Sequence, residues 1–140
     1  MNVVLMDASP LIALLHRDDI HHARCVEALQ KIRSPLVTVW PVLTEAMYLL
    51  NFSWPAQQAL WEWIETGVLG ILPLGKEDAP RMKELMKKYR DLPMDFADAA
   101  LVRVAEREQI RMIFTLDHRD FQLYRPLKIG RFSLIPVQRH

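Results

Sequence analysis

The chain has 140 residues, of which 51% are hydrophobic and 25% are charged, and its formal net charge is +1 at pH 7. This composition is typical of a globular protein and argues against a disordered chain or a strongly basic nucleic-acid binder. The length predicts one domain over residues 1–140 with a single core. Residues 1–75 carry 4 Lys/Arg and 7 Asp/Glu, whereas residues 76–140 carry 14 and 10, a skew compatible with a polyanion meeting the C-terminal half.

The cysteine content and the apolar runs indicate a cellular location. Cys25 is the sole cysteine, which excludes an intramolecular disulfide and fits a reducing compartment. The apolar run over residues 3–6 ends at Asp7 and is too short for a signal peptide. No stretch approaches the ~18 apolar residues of a membrane span. We therefore expect a cytoplasmic protein with no membrane partner.

The first predicted strand covers residues 3–6, a short apolar run of the kind that buried parallel strands show. Asp7 follows it directly. Pro10 suits the first turn of the next helix, with Asp7 or Ser9 as its N-cap. Asp7 therefore has two interpretations, a helix cap or a functional acid at the carboxyl end of a strand.

A second helix is predicted from Asp18 to about Arg33, with Ala23 and Val26 among its spaced apolar residues. The adjacent His21 and His22 point in two directions on a helix, which indicates solvated surface rather than a metal site.

Residues 36–40 predict the second strand, closed by Pro41, and residues 42–50 the next helix. Glu45 is the only charge of that helix. Compensation of the helix dipole is one explanation, but Glu is almost never buried without a partner, which favours a functional role.

The following segments predict a helix entered at Ser53, a third strand over residues 67–74 and an amphipathic helix over residues 76–90. The first of these helices has a wide apolar face, which either covers the sheet or, through Trp54 or Trp63, forms a dimer or partner surface. The amphipathic helix has a core stripe and an opposite basic side. We expect the basic side to face solvent, and contact with a polyanion is the alternative. The stripe comprises Ala79, Met82, Leu85, Met86 and Tyr89, and the basic side Arg81, Lys83, Lys87, Lys88 and Arg90.

Two carboxylates begin the most apolar predicted helix. Asp95 and Asp98 are three residues apart, and Asp98 shares its face with Leu101, Val102 and Ala105, the side such a helix buries. An N-cap at Asp95 and dipole compensation at Asp98 would account for both acids. A buried Asp98 would nevertheless need a donor, a basic partner or a metal ion.

Residues 110–115 predict a fourth strand followed by Asp117, and residues 131–136 a short fifth strand. Alternating strands and helices predict a three-layer α/β/α sandwich with a mainly parallel sheet of four to five strands. Acids just past strand ends, or in the next helical turn, converge on one crevice in such folds. Four fit this description: Asp7, Glu45, Asp98 and Asp117.

Four carboxylates in one crevice raise each other's pKa unless cations are present. No Cys/His set has zinc spacing, and an all-oxygen site selects hard cations, so Mg²⁺ or Mn²⁺ is the expected cofactor. Such ions suit phosphate substrates, which makes phosphodiester hydrolysis the best-matched reaction.

The motifs LMDASPLI (5–12), VLTEA (42–46), MDFADAALV (94–102) and FTLDHRDF (114–121) together resemble the PIN-domain family, and within it the VapC-type ribonuclease toxins, over nearly the full chain. The resemblance implies a Mg²⁺- or Mn²⁺-dependent endoribonuclease, with Asp7, Glu45, Asp98 and Asp117 as the catalytic and metal-binding quartet. It also implies a cognate antitoxin and, together with the apolar face near Trp63, a homodimer. The supporting candidates are Asp95, Asp120, Ser9 and Thr115, and Arg119 is expected to bind the RNA backbone.

Two other functions remain open at this stage. The first is a phosphatase or phosphotransferase with an Asp nucleophile, which Asp7 permits, although no suitably placed Lys follows the other strands. The second is a non-catalytic metal-binding module for protein or RNA interaction, since a sequence does not show whether its site is accessible.

Overall fold

The computed structural model of the protein describes residues 2–137. In this part of the chain five strands form one sheet with helices around it: β1 (Val4–Met6), β2 (Leu36–Thr38), β3 (Leu69–Ile71), β4 (Met112–Phe114) and β5 (Ser133–Ile135). The helices are α1 (Ala8–Leu15), α2 (His22–Lys31), α3 (Trp40–Leu49), α4 (Trp54–Thr66), α5 (Ala79–Lys88), α6 (Phe96–Glu108) and α7 (His118–Leu123). A 3₁₀ turn, Lys76–Asp78, leads into α5.

The sheet has the order β3-β2-β1-β4-β5, and every neighbouring pair is parallel. This confirms the predicted α/β sandwich with a parallel sheet, and of the predicted four to five strands it has five. The chain leaves β1 toward β2 on one side and leaves β4 toward β5 on the other. The order of connection therefore reverses between β1 and β4, and the crevice at such a switch point is where open parallel sheets bind ligands.

The central strands and α6 form the core. β1 and β2 are buried along their whole length, and α6 is buried over most of its length, because its small and branched apolar side chains recur on more than one face. α3 packs against both α1 and α6. No helix within residues 2–137 is both long and apolar enough to span a bilayer.

Several local predictions from the sequence were wrong. Trp40 begins α3 instead of ending β2, because Pro41 occupies the first turn of that helix, where its missing N–H costs nothing. In α2, Ala23 is exposed and Cys25 is the fully buried residue. Helix α7 has only six residues and was not predicted, since so short a segment gives no periodic signal.

The amphipathic helix also differs from its prediction. Its first residues form the 3₁₀ turn, and Ala79 and Met86 of the predicted core stripe are exposed. Arg81 was assigned to the solvated side, but it is partly buried and forms two hydrogen bonds of 2.8 Å with Glu106. The two charges neutralise each other, so the pair is able to lie at the contact between α5 and α6.

Candidate active site

Asp7 lies at the carboxyl end of β1 and is almost completely buried. One of its carboxylate oxygens accepts a hydrogen bond from the backbone N–H of Ala8 at 2.8 Å, so Asp7 does cap α1. The other oxygen accepts the hydroxyl of Thr115 at 2.8 Å, which joins the ends of β1 and β4. Two neutral donors hold the carboxylate, and no cationic side chain does so among the described residues. Asp7 therefore both caps α1 and lies at the switch point of the sheet.

Asp98 lies in the first turn of α6 and points inward, as predicted, with 7% of its surface exposed. Its backbone N–H donates to the carboxylate of Asp95 at 2.8 Å, which confirms Asp95 as the N-cap of α6. One Asp98 oxygen accepts the hydroxyl of Tyr124 at 2.8 Å. This buried contact fixes the orientation of the Asp98 carboxylate.

Glu45 and Asp117 complete the set from two further elements. Glu45 lies in α3 and is partly buried, whereas Asp117 directly precedes α7 and is exposed. The backbone N–H of Asp117 donates to Thr115 Oγ1 at 3.0 Å, so the same hydroxyl contacts both Asp7 and the Asp117 backbone. The Thr115 side chain therefore couples the positions of two acids.

The acids raise one another's pKa. Burial is the main cause for Asp98, whose pKa rises from 3.8 to about 8, and for Asp7, whose pKa rises from 3.8 to about 6. The charge of Asp117 adds to both shifts. Burial, and then the charges of neighbouring acids, also raise the pKa of Glu45 and of Asp117. These carboxylates from four segments therefore share one electrostatic environment.

The donor chemistry of this environment fits a hard divalent cation. The acids offer only oxygen ligands, and a cation would lower their raised pKa values by stabilising the ionised forms. No three acidic, histidine or cysteine side chains among residues 2–137 already stand close enough to form a ligand set. Binding a metal ion would therefore require these side chains to move closer together.

The supporting candidates have distinct positions. Ser9 Oγ accepts the backbone N–H of Leu116 at 3.1 Å, which ties α1 to the segment after β4. Asp120 is partly buried, and its charge raises the pKa of Asp117. Arg119 is exposed, on the helical turn that follows Asp117.

Sequence reasoning missed Tyr124 and Asp78. Tyr124 is fully buried, and this burial, followed by the neighbouring acids, raises the pKa of its hydroxyl, which stays a donor to Asp98. Asp78 is fully buried and accepts hydrogen bonds from Arg103, Arg107 and the backbone of Gly75 at 2.8–3.0 Å. Their side-chain partners lie 25 to 29 residues away, a separation at which no local pattern gives a signal.

Comparison with known proteins gives a consistent result. The family model described as PIN domain matches residues 4–125. Ribonuclease VapC26 of Mycobacterium tuberculosis (strain ATCC 25618 / H37Rv) is 30% identical over 135 residues, which are 95% of this chain and 100% of that protein.

Two solved structures share the fold at lower identity. The crystal structure of Mycobacterium tuberculosis VapC20, a Sarcin-Ricin loop cleaving toxin, superposes with a TM-score of 0.75 at 19% identity, covering 82% of this chain and 90% of that one. A toxin-antitoxin complex from Klebsiella pneumoniae gives a TM-score of 0.65 at 18% identity, covering 84% and 89%.

Proposed function

Because this chain belongs to the PIN-domain family and is a homologue of the VapC-type ribonucleases, we propose that it is a Mg²⁺- or Mn²⁺-dependent endoribonuclease acting through Asp7, Glu45, Asp98 and Asp117. One observation carries the proposal. The buried carboxylates of Asp7 and Asp98 repel each other near the switch point of a parallel sheet, in a chain that aligns along 95% of its length with a ribonuclease. A bound cation would compensate the negative charge of this crevice and would let a negatively charged phosphodiester enter it.

The four acids would hold the metal, which supplies Lewis acidity and a positive charge for the scissile phosphate when it is bound. Thr115 and Tyr124 each donate a hydrogen bond, to Asp7 and Asp98 respectively, and thereby fix the direction of one carboxylate. The Glu45 carboxylate is held by fewer hydrogen bonds from the described residues than the carboxylates of Asp7 and Asp98, which suits it to orient the attacking water. Arg119, exposed beside Asp117, contacts the RNA backbone.

The test is cleavage of mixed bacterial RNA by purified protein in EDTA, Mg²⁺ or Mn²⁺, with mapping of the new 5′ ends. We expect cleavage that requires the metal ion and falls by at least about 100-fold in Asp98→Asn, since an essential ligand is lost. Asp18→Asn makes the same chemical change at an exposed position and should retain full activity. Activity in EDTA, or full activity of highly purified Asp98→Asn, would contradict the assignment.

We further propose that the protein is the toxin of a type II toxin-antitoxin pair. Support comes from its identity to VapC26 and from a toxin-antitoxin complex among the structures of similar fold. Induced expression should arrest growth, and co-expression of the protein encoded by a neighbouring short reading frame should restore it and co-purify. Arrest by Asp98→Asn to the same extent would show that toxicity does not depend on the acidic site.

A further inference from the structure

A cleft of about 600 Å³ opens beside the acidic residues, between the starts of α3 and α6. Its volume lies within the roughly 300–1,000 Å³ of small-molecule pockets. Trp40 is the first residue of α3 and Phe96 the first residue of α6, and both line the cleft with about half of their surface exposed, 50% and 52%. Two large aromatic side chains exposed at one opening are unusual unless something covers them.

The charges around the cleft restrict what is able to enter it. Glu45 and Asp95 are the acidic residues that line it, and the residues of the described chain that line it include no Lys or Arg. A phosphate group without a cation would be repelled there. A neutral, flat group would instead contact the two aromatic rings without placing a charge against the carboxylates.

Glu45 belongs both to the cleft and to the acidic group, which makes the two continuous. A nucleotide whose phosphate lies at the acids therefore has its base, or that of the next nucleotide, within reach of the cleft. Base–aromatic stacking is the general way in which unpaired nucleotides are held, because every base has an aromatic face.

We propose that Trp40 and Phe96 bind the nucleobase of an unpaired nucleotide next to the scissile phosphate. This inference rests on the proposed ribonuclease function, and it assigns to the cleft one nucleotide whose base is free to leave a stack. Discrimination between bases at this position is expected to be modest, because stacking reads the face of a base and not its edge.

The first test compares Trp40→Ala and Phe96→Ala with Trp61→Ala, which removes another exposed indole outside the cleft. The substrate is the shortest single-stranded RNA that the wild type cleaves. Each cleft variant should lower kcat/KM by about tenfold or more, as loss of one stacked base does, while Trp61→Ala stays within about twofold. Trp40→Phe should recover most of the loss. Circular dichroism verifies that each variant is folded.

The second test removes the base instead of the side chain. A single abasic ribonucleotide is moved along the RNA across the cut site. At one position it should lower wild-type kcat/KM by about tenfold, yet add little to the loss already caused by Trp40→Ala, because both changes remove the same contact. Independent, multiplicative losses at every position would overturn the proposal.

A binding measurement separates this inference from the ribonuclease assignment. In an Asp98→Asn background, single-stranded RNA should quench tryptophan fluorescence, and the quench should be lost in the Trp40→Ala double variant. If the wild type cleaves no RNA but quenching is still seen, the ribonuclease function is refuted while base binding in the cleft is retained. No quenching, or equal kinetics for Trp40→Ala and Trp61→Ala, would refute base stacking in the cleft. Dissociation of an oligomer by Trp40→Ala with unchanged cleavage would assign the aromatic pair to a protein contact.

Discussion

At the scale of single residues, the negative charge of Asp98 favours metal binding but lowers the stability of the metal-free protein. Its pKa is about 8 in the folded protein, against an ordinary value of 3.8, chiefly because the side chain is buried. The folded state therefore holds this proton more tightly than the unfolded chain does. The stability contributed by the protonated form is fully present below about pH 4 and is lost as the pH rises through 8.

Asp98→Asn should consequently stabilise the metal-free protein at pH 8 and abolish its activity. The amide keeps an oxygen to accept the Tyr124 hydroxyl but carries no charge. Melting in EDTA should show a gain of about 2 kcal/mol, roughly 5 °C, at pH 8 and little difference at pH 4. Mn²⁺ should raise the melting temperature of the wild type alone. A gain that does not depend on pH would refute this account.

Tyr124→Phe tests the contact that orients Asp98. The ring should keep its packing against Phe121 and Tyr89, while the Asp98 oxygen loses its donor. Mn²⁺ affinity measured by calorimetry should fall by about tenfold, as it does when a partner of a metal ligand is removed. Tyr89→Phe is the matched control, since its hydroxyl accepts the backbone N–H of Arg125 and touches no acid of the site. An equal fall in both variants would indicate a general loosening of the aromatic cluster.

At the scale of secondary-structure elements, α6 joins the site to the rest of the molecule. Its first turn presents Asp98, and its later turns carry Arg103, Glu106 and Arg107. The two arginines bind the buried Asp78 at the start of α5. Glu106 binds Arg81 of α5 and accepts the backbone N–H of Leu127, beyond α7. The ion pairs hold α5, and the hydrogen bond from Leu127 holds the segment beyond α7, in a fixed position relative to α6.

Asp78→Asn should destabilise the protein by about 3 kcal/mol at pH 7 in a urea titration, because it removes the buried charge that Arg103 and Arg107 share and leaves Arg107 with Glu108 as its only ion-pair partner in the described chain. The pKa of Asp78 is lowered, since hydrogen bonds from Gly75, Arg103 and Arg107 outweigh its burial. The stability that ionised Asp78 contributes is therefore lost as the pH falls through that lowered pKa. As the control, Glu84→Gln removes an exposed partner of Arg81 and should lower the free energy of unfolding by at most about 0.5 kcal/mol, again measured by urea titration. Equal costs would show that burial of the ion pairs is energetically irrelevant.

At the scale of the whole molecule, one set of buried side chains runs from Val3 to Phe132. We propose on this basis that residues 1–140 fold as a single domain, with one cooperative unfolding transition. The same molecule exposes apolar side chains where α3 leads into α4, namely Tyr48, Leu49, Phe52 and Trp54. Such a patch is typical of a surface that contacts another protein.

Sedimentation equilibrium should give twice the mass of one chain for the wild type, because we propose that this patch forms a homodimer. Phe52→Glu places a charge in the patch and should shift the protein to the monomer by at least about tenfold in Kd. The equally exposed Leu127, which lies far along the chain beyond α7, provides the control Leu127→Glu. A monomeric wild type, or equal effects of both variants, would assign the patch to another partner.

Much of this protein is determined by its sequence alone. Local patterns located the strands, the acids that follow β1 and β4, and the caps at Ser53 and Asp95, because apolar period and capping act within a few residues. The inward direction of Asp98 followed from helical spacing in the same way. The boundary at Trp40 and the short α7 escaped, since neighbouring preferences there are weak or contradictory.

Only the tertiary structure decided which distant groups meet. Tyr124 reaches Asp98 across 26 residues, Thr115 reaches Asp7 across 108, and Trp40 faces the same cleft as Phe96. A hydroxyl or an aromatic ring has the same chemistry wherever it occurs in a chain. Its role as a donor to a buried carboxylate, or as a wall of a cleft, comes from strand order and helix packing, which no short stretch of sequence contains.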